Sequence, residues 1–183
     1  MDGATSDPKL RPSRVQWLHA LGLFAVGIVV FLVAITLLHP AQPRTISGGT
    51  AAPAITLDDV AGHHHDVFTE ARGQRVVVEF FATTCPTCQE QAGHVCSLAN
   101  AHHDVRVYAV DSELEGAGAI SDYARTRMSG CPVTFLVDPG NRTTHAWSVA
   151  VVPTVYLIRP DAKIAYGGIG ADGIRGLDGA LGG

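Results

Sequence analysis

The strongest chemical signal in the sequence is a pair of cysteines two residues apart, Cys85-Pro86-Thr87-Cys88. Sulfurs this close can open and close a disulfide, provided that one of them is held as a thiolate, the species that attacks. The six residues before Ala82, Val76 to Phe81, are β-branched or aromatic apart from Glu79. Such a continuous run predicts a central strand buried on both faces. A helix is expected directly after it, because Pro86 suits the first helical position, where a missing N–H costs nothing. Cys85 then stands at the helix entrance and Cys88 one turn further on. Unpaired N–H groups at a helix start favour negative charge, so Cys85 is expected to be the nucleophile, its pKa falling from about 8.5 to roughly 3.5–7.5. Cys88 would resolve the mixed disulfide. The competing chemistry is half of a zinc site or a pair of structural cysteines. Zinc needs two more ligands at comparable spacing, and no second Cys-X-X-Cys occurs.

Few other residues invite chemistry. Glu79 is the one charge in the apolar strand, where ionisation is costly, so a raised pKa is expected. His63-His64-His65 lies in a predicted turn and reads as three solvent-facing imidazoles, since three adjacent histidines cannot all face one metal. His102-His103 at the end of the predicted helix would complement its dipole. No metal is assigned, and no organic cofactor is implied, because the sulfurs themselves carry electrons.

These residues need a scaffold and a compartment. The chain has 183 residues, 46% of them hydrophobic and 16% charged. The apolar excess is concentrated between Ala20 and Leu38, a run without charge and with Thr36 as its one polar side chain. It is long enough to cross a bilayer core of about 30 Å. Lys9, Arg11 and Arg14 precede the run and Arg44 follows it, so the positive-inside rule predicts a cytoplasmic amino terminus over 1–16 and a signal-anchor helix over 17–39. A cleaved signal peptide has a similar layout, but its apolar core is shorter, roughly 7–15 residues, and His39-Pro40-Ala41 is a poor cleavage site. Residues 40–53, with three prolines and Ser47-Gly48-Gly49, read as a linker, and 54–183 as one exported domain. Outside the cytoplasm four cysteines meet disulfide chemistry. Acidic residues outnumber basic ones, 17 to 13, so no basic surface suggests nucleic acid.

Along the domain, Ile55-Thr56-Leu57 and Val67-Phe68 read as short strands joined through Asp58 to Asp66. Ala92, Val95, Cys96 and Ala99 give the helix after Cys85 one buried face, through Asn100. A strand over Val105 to Val110, a helix over roughly Ala119 to Met128 and a strand over Val133 to Val137 follow. Asp138 to Asn141 reads as a turn and Thr143 to Trp147 as a short helix. Val155 to Ile158 and Lys163 to Tyr166 form a hairpin. Ile174, Leu177 and Leu181 mark a last amphipathic helix despite Gly173, Gly176 and Gly179.

The run Phe80-Phe81-Ala82-Thr83-Thr84-Cys85-Pro86-Thr87-Cys88 resembles the active-site segment of thioredoxin-like proteins. With Asp58 to Gly62, Pro132 to Gly140 and Val151 to Ile158, the pattern over about 53–170 resembles the membrane-anchored TlpA/ResA-type thiol-disulfide oxidoreductases. Thr84 stands where that family usually has tryptophan. The resemblance implies an α/β thioredoxin-like fold, a mixed central sheet flanked by helices, with an amino-terminal hairpin extension and one preceding transmembrane helix. It implies an active-site loop of Thr84, Pro86 and Thr87, and a cis-proline at Pro153, between Val152 and Thr154, that presents the backbone of Val152 to a substrate strand. It places Glu79 where thioredoxins carry a buried acid, able to move a proton to or from Cys88. Cys96 is too far along the helix to reach Cys88. A thioredoxin-like sheet could bring it near Cys131, as a structural disulfide or as two small buried hydrophobes.

The implied partners are exported protein thiols or disulfides and a membrane or extracytoplasmic redox partner, at the cytoplasmic membrane of a bacterium. Two other resemblances compete. Cys85-Pro86-Thr87 is similar to part of a peroxiredoxin active site, which has Thr or Ser three residues before its cysteine, where this chain has Ala82. Sco-like copper metallochaperones share the fold and would draw on His145 or the histidine triplet, but they space their cysteines Cys-X-X-X-Cys.

Overall fold

A computed structural model describes residues 24–31 and 49–182. The expected cytoplasmic segment, most of the transmembrane segment and most of the linker lie outside the described residues. Residues 24–31 are helical, with Phe24, Val30 and Phe31 exposed. Among the described residues no helix is long and apolar enough to cross a membrane.

The domain is built on the apolar strand that precedes the cysteines. In chain order the strands are β1 (Thr56–Asp59), β2 (His64–Asp66), β3 (Arg75–Phe81), β4 (Val105–Asp111), β5 (Val133–Val137), β6 (Thr154–Ile158) and β7 (Ile164–Ile169). The helices are α1 (Val67–Glu70), α2 (Pro86–Ala101), α3 (Gly116–Arg127), α4 (Arg142–Ala146) and α5 (Gly170–Leu181), with a 3-10 turn at Pro139–Asn141. They frame one mixed sheet of order β2-β1-β5-β4-β3-β6-β7. β3 pairs in parallel with β4 and antiparallel with β6, so both of its edges are occupied. Its faces are buried too, which is why its sequence runs apolar instead of alternating.

The strand's side chains divide between two cores by the two-residue pleat. Val77 and Phe81 meet Cys88, Ala92 and Val95 of α2, Ile120 and Tyr123 of α3, and Ile174 and Leu177 of α5. Val76, Val78 and Phe80 face the other way, onto Val67 of α1 and onto Trp147 just after α4.

Two expectations change. The second hairpin strand is His64–Asp66, not Val67-Phe68, because the Asp66 carboxylate accepts the Thr69 N–H at 3.3 Å and starts α1 there. The histidine triplet is not uniform surface. His63 and His64 are exposed and pair with Asp59 and Asp58, whereas His65 is wedged between Asp59 and Glu70, its ring nitrogens 3.3 and 2.9 Å from their carboxylates. Those two carboxylates raise the pKa of His65, Glu70 foremost. His102 caps the end of α2, one residue past Ala101, its N–H donating to the Leu98 carbonyl.

Two glycines of α5, Gly173 and Gly176, have a packing reason. A Cβ on Gly173 would strike the backbone of Gly168 in β7, and one on Gly176 would strike the Tyr166 ring. Their absence lets α5 close on the sheet, where the Tyr166 hydroxyl donates to the Gly173 carbonyl at 2.8 Å. At the β7 edge, residues 49–52 are hydrogen-bonded to the domain, the Ile164 N–H donating to the Thr50 carbonyl and the Ala52 N–H to the Ala162 carbonyl.

Cys96 on α2 and Cys131 before β5 are joined by a disulfide, their Cα atoms 5.3 Å apart. It closes a loop that contains β4 and α3. Replacing both cysteines by alanine is expected to lower unfolding stability by about 2–4 kcal/mol. Denaturant unfolding of the oxidised proteins checks this, and an unchanged midpoint would deny the bridge a structural role.

Candidate active site

The chain leaves β3 at Phe81, whose carbonyl accepts the Ser112 N–H at 2.9 Å, and turns through Ala82 to Thr84 into α2. Cys85 is the N-cap of that helix, with Pro86 at its first position. The sulfur accepts the Cys88 N–H at 3.1 Å, so it takes up one of the helix's otherwise unpaired donors. Cys85 is half-buried and Cys88 fully buried. They form a disulfide with Cα atoms 5.2 Å apart. Thr84 and Pro86 are exposed and Thr87 half-buried around the accessible sulfur.

The Val152–Pro153 peptide bond is cis. The Val152 carbonyl oxygen lies 3.8 Å from the Cys85 sulfur, so the loop before β6 shares the mouth of the dithiol. Two bonds hold that loop. The Thr154 hydroxyl donates to the Val151 carbonyl at 2.6 Å, and the Gly170 N–H donates to the Pro153 carbonyl at 2.8 Å.

Glu79 is 3% exposed. It lies between Val77 and Phe81 in the pleat, hence on the face that carries Cys88 and Tyr123. Burial alone pushes its carboxyl from the usual 4.5 up to about 8. A group with this pKa exchanges its proton near neutral pH, beside the helix face of the less accessible cysteine.

Several residues around the dithiol were not singled out by the sequence. Glu115, just before α3, receives the Thr83 N–H and the Thr83 hydroxyl, both at 2.6 Å. Glu115 is itself held by its own N–H, which donates to the Asp111 carboxylate at 3.1 Å. The Gln89 amide donates to the Thr83 carbonyl at 2.7 Å, and Arg127 donates to Gln89 at 3.2 Å. On the buried side, the Tyr123 hydroxyl donates to the Cys88 carbonyl at 3.0 Å. Burial, and then the charge of Glu79, push the Tyr123 phenol up. None of these links has a sequence signature, because each joins segments more than thirty residues apart except Gln89 with Thr83 and Glu115 with Asp111.

The residues behind the competing resemblances do not gather here in the same way. Ala82 is buried and has no hydroxyl to offer a peroxide. His145 is exposed on α4. Among the described residues no group of three His, Cys, Asp or Glu side chains converges to hold a metal.

A neighbouring dithiol at a helix entrance, on a mixed sheet beside a cis-proline, defines the class: a thioredoxin-fold thiol-disulfide oxidoreductase. The chain belongs to the redoxin family, whose sequence model matches residues 47–181. It is similar to the thiol-disulfide oxidoreductase ResA of Bacillus cereus, 26% identical over 166 residues that cover 87% of this chain and 94% of that protein. ResA of Geobacillus kaustophilus is 23% identical over 144 residues, covering 78% of each chain. Two solved structures share the fold. The thioredoxin domain of a thiol-disulfide oxidoreductase from Bacteroides vulgatus superposes with a TM-score of 0.63 at 19% identity, covering 74% of this chain and 98% of that one. StoA from Bacillus subtilis gives 0.59 at 15% identity, covering 73% and 99%.

Because the folded pKa of Glu79 lies above that of an unfolded carboxyl, the folded chain holds a proton between about pH 4.5 and 8 that the unfolded chain has released. The stability associated with this proton is complete below the lower value and is lost as pH rises through the upper one. Each pKa unit is worth about 1.4 kcal/mol, so the loss amounts to a few kcal/mol. Denaturant unfolding of Glu79→Gln should show a flatter dependence over this window and greater stability than the parent at pH 8. Parallel curves for the two proteins would contradict the buried carboxyl.

Proposed function

We propose that this protein is a membrane-tethered oxidoreductase that exchanges electrons with exported proteins outside the cytoplasm of a bacterium. The observation that carries this reading is the half-buried Cys85 sulfur at the start of α2, bonded to Cys88 and 3.8 Å from the Val152 carbonyl. In the reducing direction the Cys85 thiolate attacks one sulfur of a substrate disulfide. The other substrate sulfur leaves as a thiolate, and a mixed disulfide forms. The carboxylate form of Glu79, whose share grows as pH rises towards about 8, then takes the proton of Cys88, which attacks the Cys85 sulfur. The second substrate thiolate departs, Cys85 and Cys88 are joined, and two electrons have passed to the substrate. The oxidising direction is the same sequence reversed, and the relative potentials of the two partners select between them. Thr84, Pro86 and Thr87 border the reacting sulfur and tune that potential. Val152, Pro153 and Thr154 receive the substrate backbone as an added strand.

The names of the ResA relatives support the reaction. The apolar run from Ala20 to Leu38, with basic residues before it, supports an anchor over 17–39 and a linker over 40–53 that carries residues 54–183 beyond the membrane. No organic cofactor enters the cycle. A redox partner in or outside the membrane returns the dithiol to its working state.

Alkylation of the reduced protein as a function of pH is expected to show Cys85 reacting as a thiolate below about pH 7.5, and Cys88→Ser should accumulate a mixed disulfide on Cys85 in glutathione buffers. A Cys85 that titrates near about 8.5 and never joins Cys88 in such buffers would refute the reading. Glu79→Gln should slow resolution of the mixed disulfide at pH 8, where much of Glu79 is ionised, by about a hundredfold, the low end for a positioned proton acceptor. Sedimentation of the full chain with membranes, resistant to alkaline wash, tests the anchor separately.

A further inference from the structure

Two side chains hold the backbone of Cys88. The Cys85 sulfur accepts its N–H at 3.1 Å, and the Tyr123 hydroxyl donates to its carbonyl at 3.0 Å. The first hold belongs to the reacting atom and changes with it. Once Cys85 carries a substrate sulfur, the covalent link between the two cysteines is open, and Cys85 has lost the thiolate charge that would make it a strong acceptor. The second hold takes no part in the exchange. Burial keeps the Tyr123 phenol protonated, so it goes on donating.

Tyr123 is itself firmly placed. It is 7% exposed on α3, with Phe81 of β3 and Phe135 of β5 at ring separations of 5.2 and 6.3 Å. Phe81 ends the strand that releases the chain towards Cys85, so the ring rests on the frame that carries the dithiol. A buried phenol needs a hydrogen-bond partner, and its partner is the backbone of the resolving cysteine, not a carbonyl further along α2. A carbonyl has two lone pairs, so this bond is added to the helix ladder and replaces no part of it.

We infer that Tyr123 is a positioning residue for the second half of the exchange: its hydroxyl pins the Cys88 backbone, so that the Cys88 sulfur stays within reach of Cys85 while the disulfide is open. The inference rests on the oxidoreductase reading above. In the step concerned, the Cys88 thiolate attacks the Cys85 sulfur of the mixed disulfide. The bond from Cys85 to the substrate sulfur breaks, and the substrate leaves as a thiolate with that electron pair. The rate depends on the effective concentration of one cysteine beside the other, which an anchor raises by restricting the opened first turn of α2. In the closed form the disulfide already restricts that turn. The anchor therefore favours closure over the open dithiol, and acts on the potential as well as on the rate.

The test compares the full chain in mild detergent with Tyr123→Phe, which removes the hydroxyl, keeps the ring and leaves the Cys88 carbonyl its ladder bond. In glutathione buffers the equilibrium between disulfide and dithiol should shift about fivefold towards the dithiol, the scale of one buried hydrogen bond, which raises the potential by about 20 mV. The reduced proteins are also mixed with excess glutathione disulfide, quenched with acid, and the glutathione adduct on Cys85 counted by mass. Its resolution should slow by a similar factor at every pH from about 6 to about 9, a range that spans the titration of a proton acceptor such as Glu79. The first attack, measured in Cys88→Ser, should run equally fast with and without Tyr123→Phe. An unchanged potential and an unchanged resolution rate would overturn the inference even if the variant unfolds more easily, because the hydroxyl would then serve packing alone. A slowing that moves the midpoint of the pH profile would assign the hydroxyl to proton transfer with Glu79 and would also overturn it. Failure of the parent chain to join Cys85 and Cys88 in any of these buffers would instead refute the oxidoreductase reading.

Discussion

The contact on which the site depends is the short reach from the Cys88 N–H to the Cys85 sulfur, 3.1 Å across the opening turn of α2. It makes the sulfur itself the cap of a sixteen-residue helix, so the atom that reacts also satisfies a donor that would otherwise stand empty. Negative charge on that atom is then favoured by the helix end. The partner cysteine gains nothing comparable, because it lies inside the helix and out of solvent. A difference in reactivity between two chemically identical groups follows from one turn of backbone.

Holding that turn in place is the work of the surrounding segments. β3 is fixed on both edges by β4 and β6, so the point at which it releases the chain cannot drift. Glu115 and Gln89 then grip Thr83 from two sides. The cis peptide at Pro153 places a carbonyl over the sulfur from a further segment. The disulfide between Cys96 and Cys131 ties the middle of α2 to the approach to β5, away from the chemistry. One pair of cysteines therefore sits at the helix entrance and the other is anchored in mid-helix, and their separation along α2 keeps them from mixing.

Glu79 shows the cost of such a site. A carboxyl in an apolar strand destabilises the fold once it ionises, and no hydrogen bond within the described residues offsets this. The same burial gives it a pKa of about 8, where a proton can be taken up or released near neutral pH. A stable core alone would favour an apolar residue there.

Much of this architecture was readable from residue order. The unbroken apolar run of β3, the Pro86 that opens α2, the limits of β5 and the paired cysteines all depend on local periodicity and local backbone preference. Local signals misled where a side chain capped its neighbour, as Asp66 does in turning Val67-Phe68 from strand into helix. They were silent on why glycine recurs in α5, where Gly173 serves close packing against Gly168. Sequence alone determined the two-residue cysteine spacing and its place at a strand-to-helix junction, because both are set within one short stretch of chain. Only the tertiary structure decided that Glu115 would hold Thr83, that Val152 would overhang Cys85 and that Cys96 would meet Cys131. Those are contacts between segments remote in sequence, and their distances are fixed by how the sheet and helices pack, which no local pattern encodes.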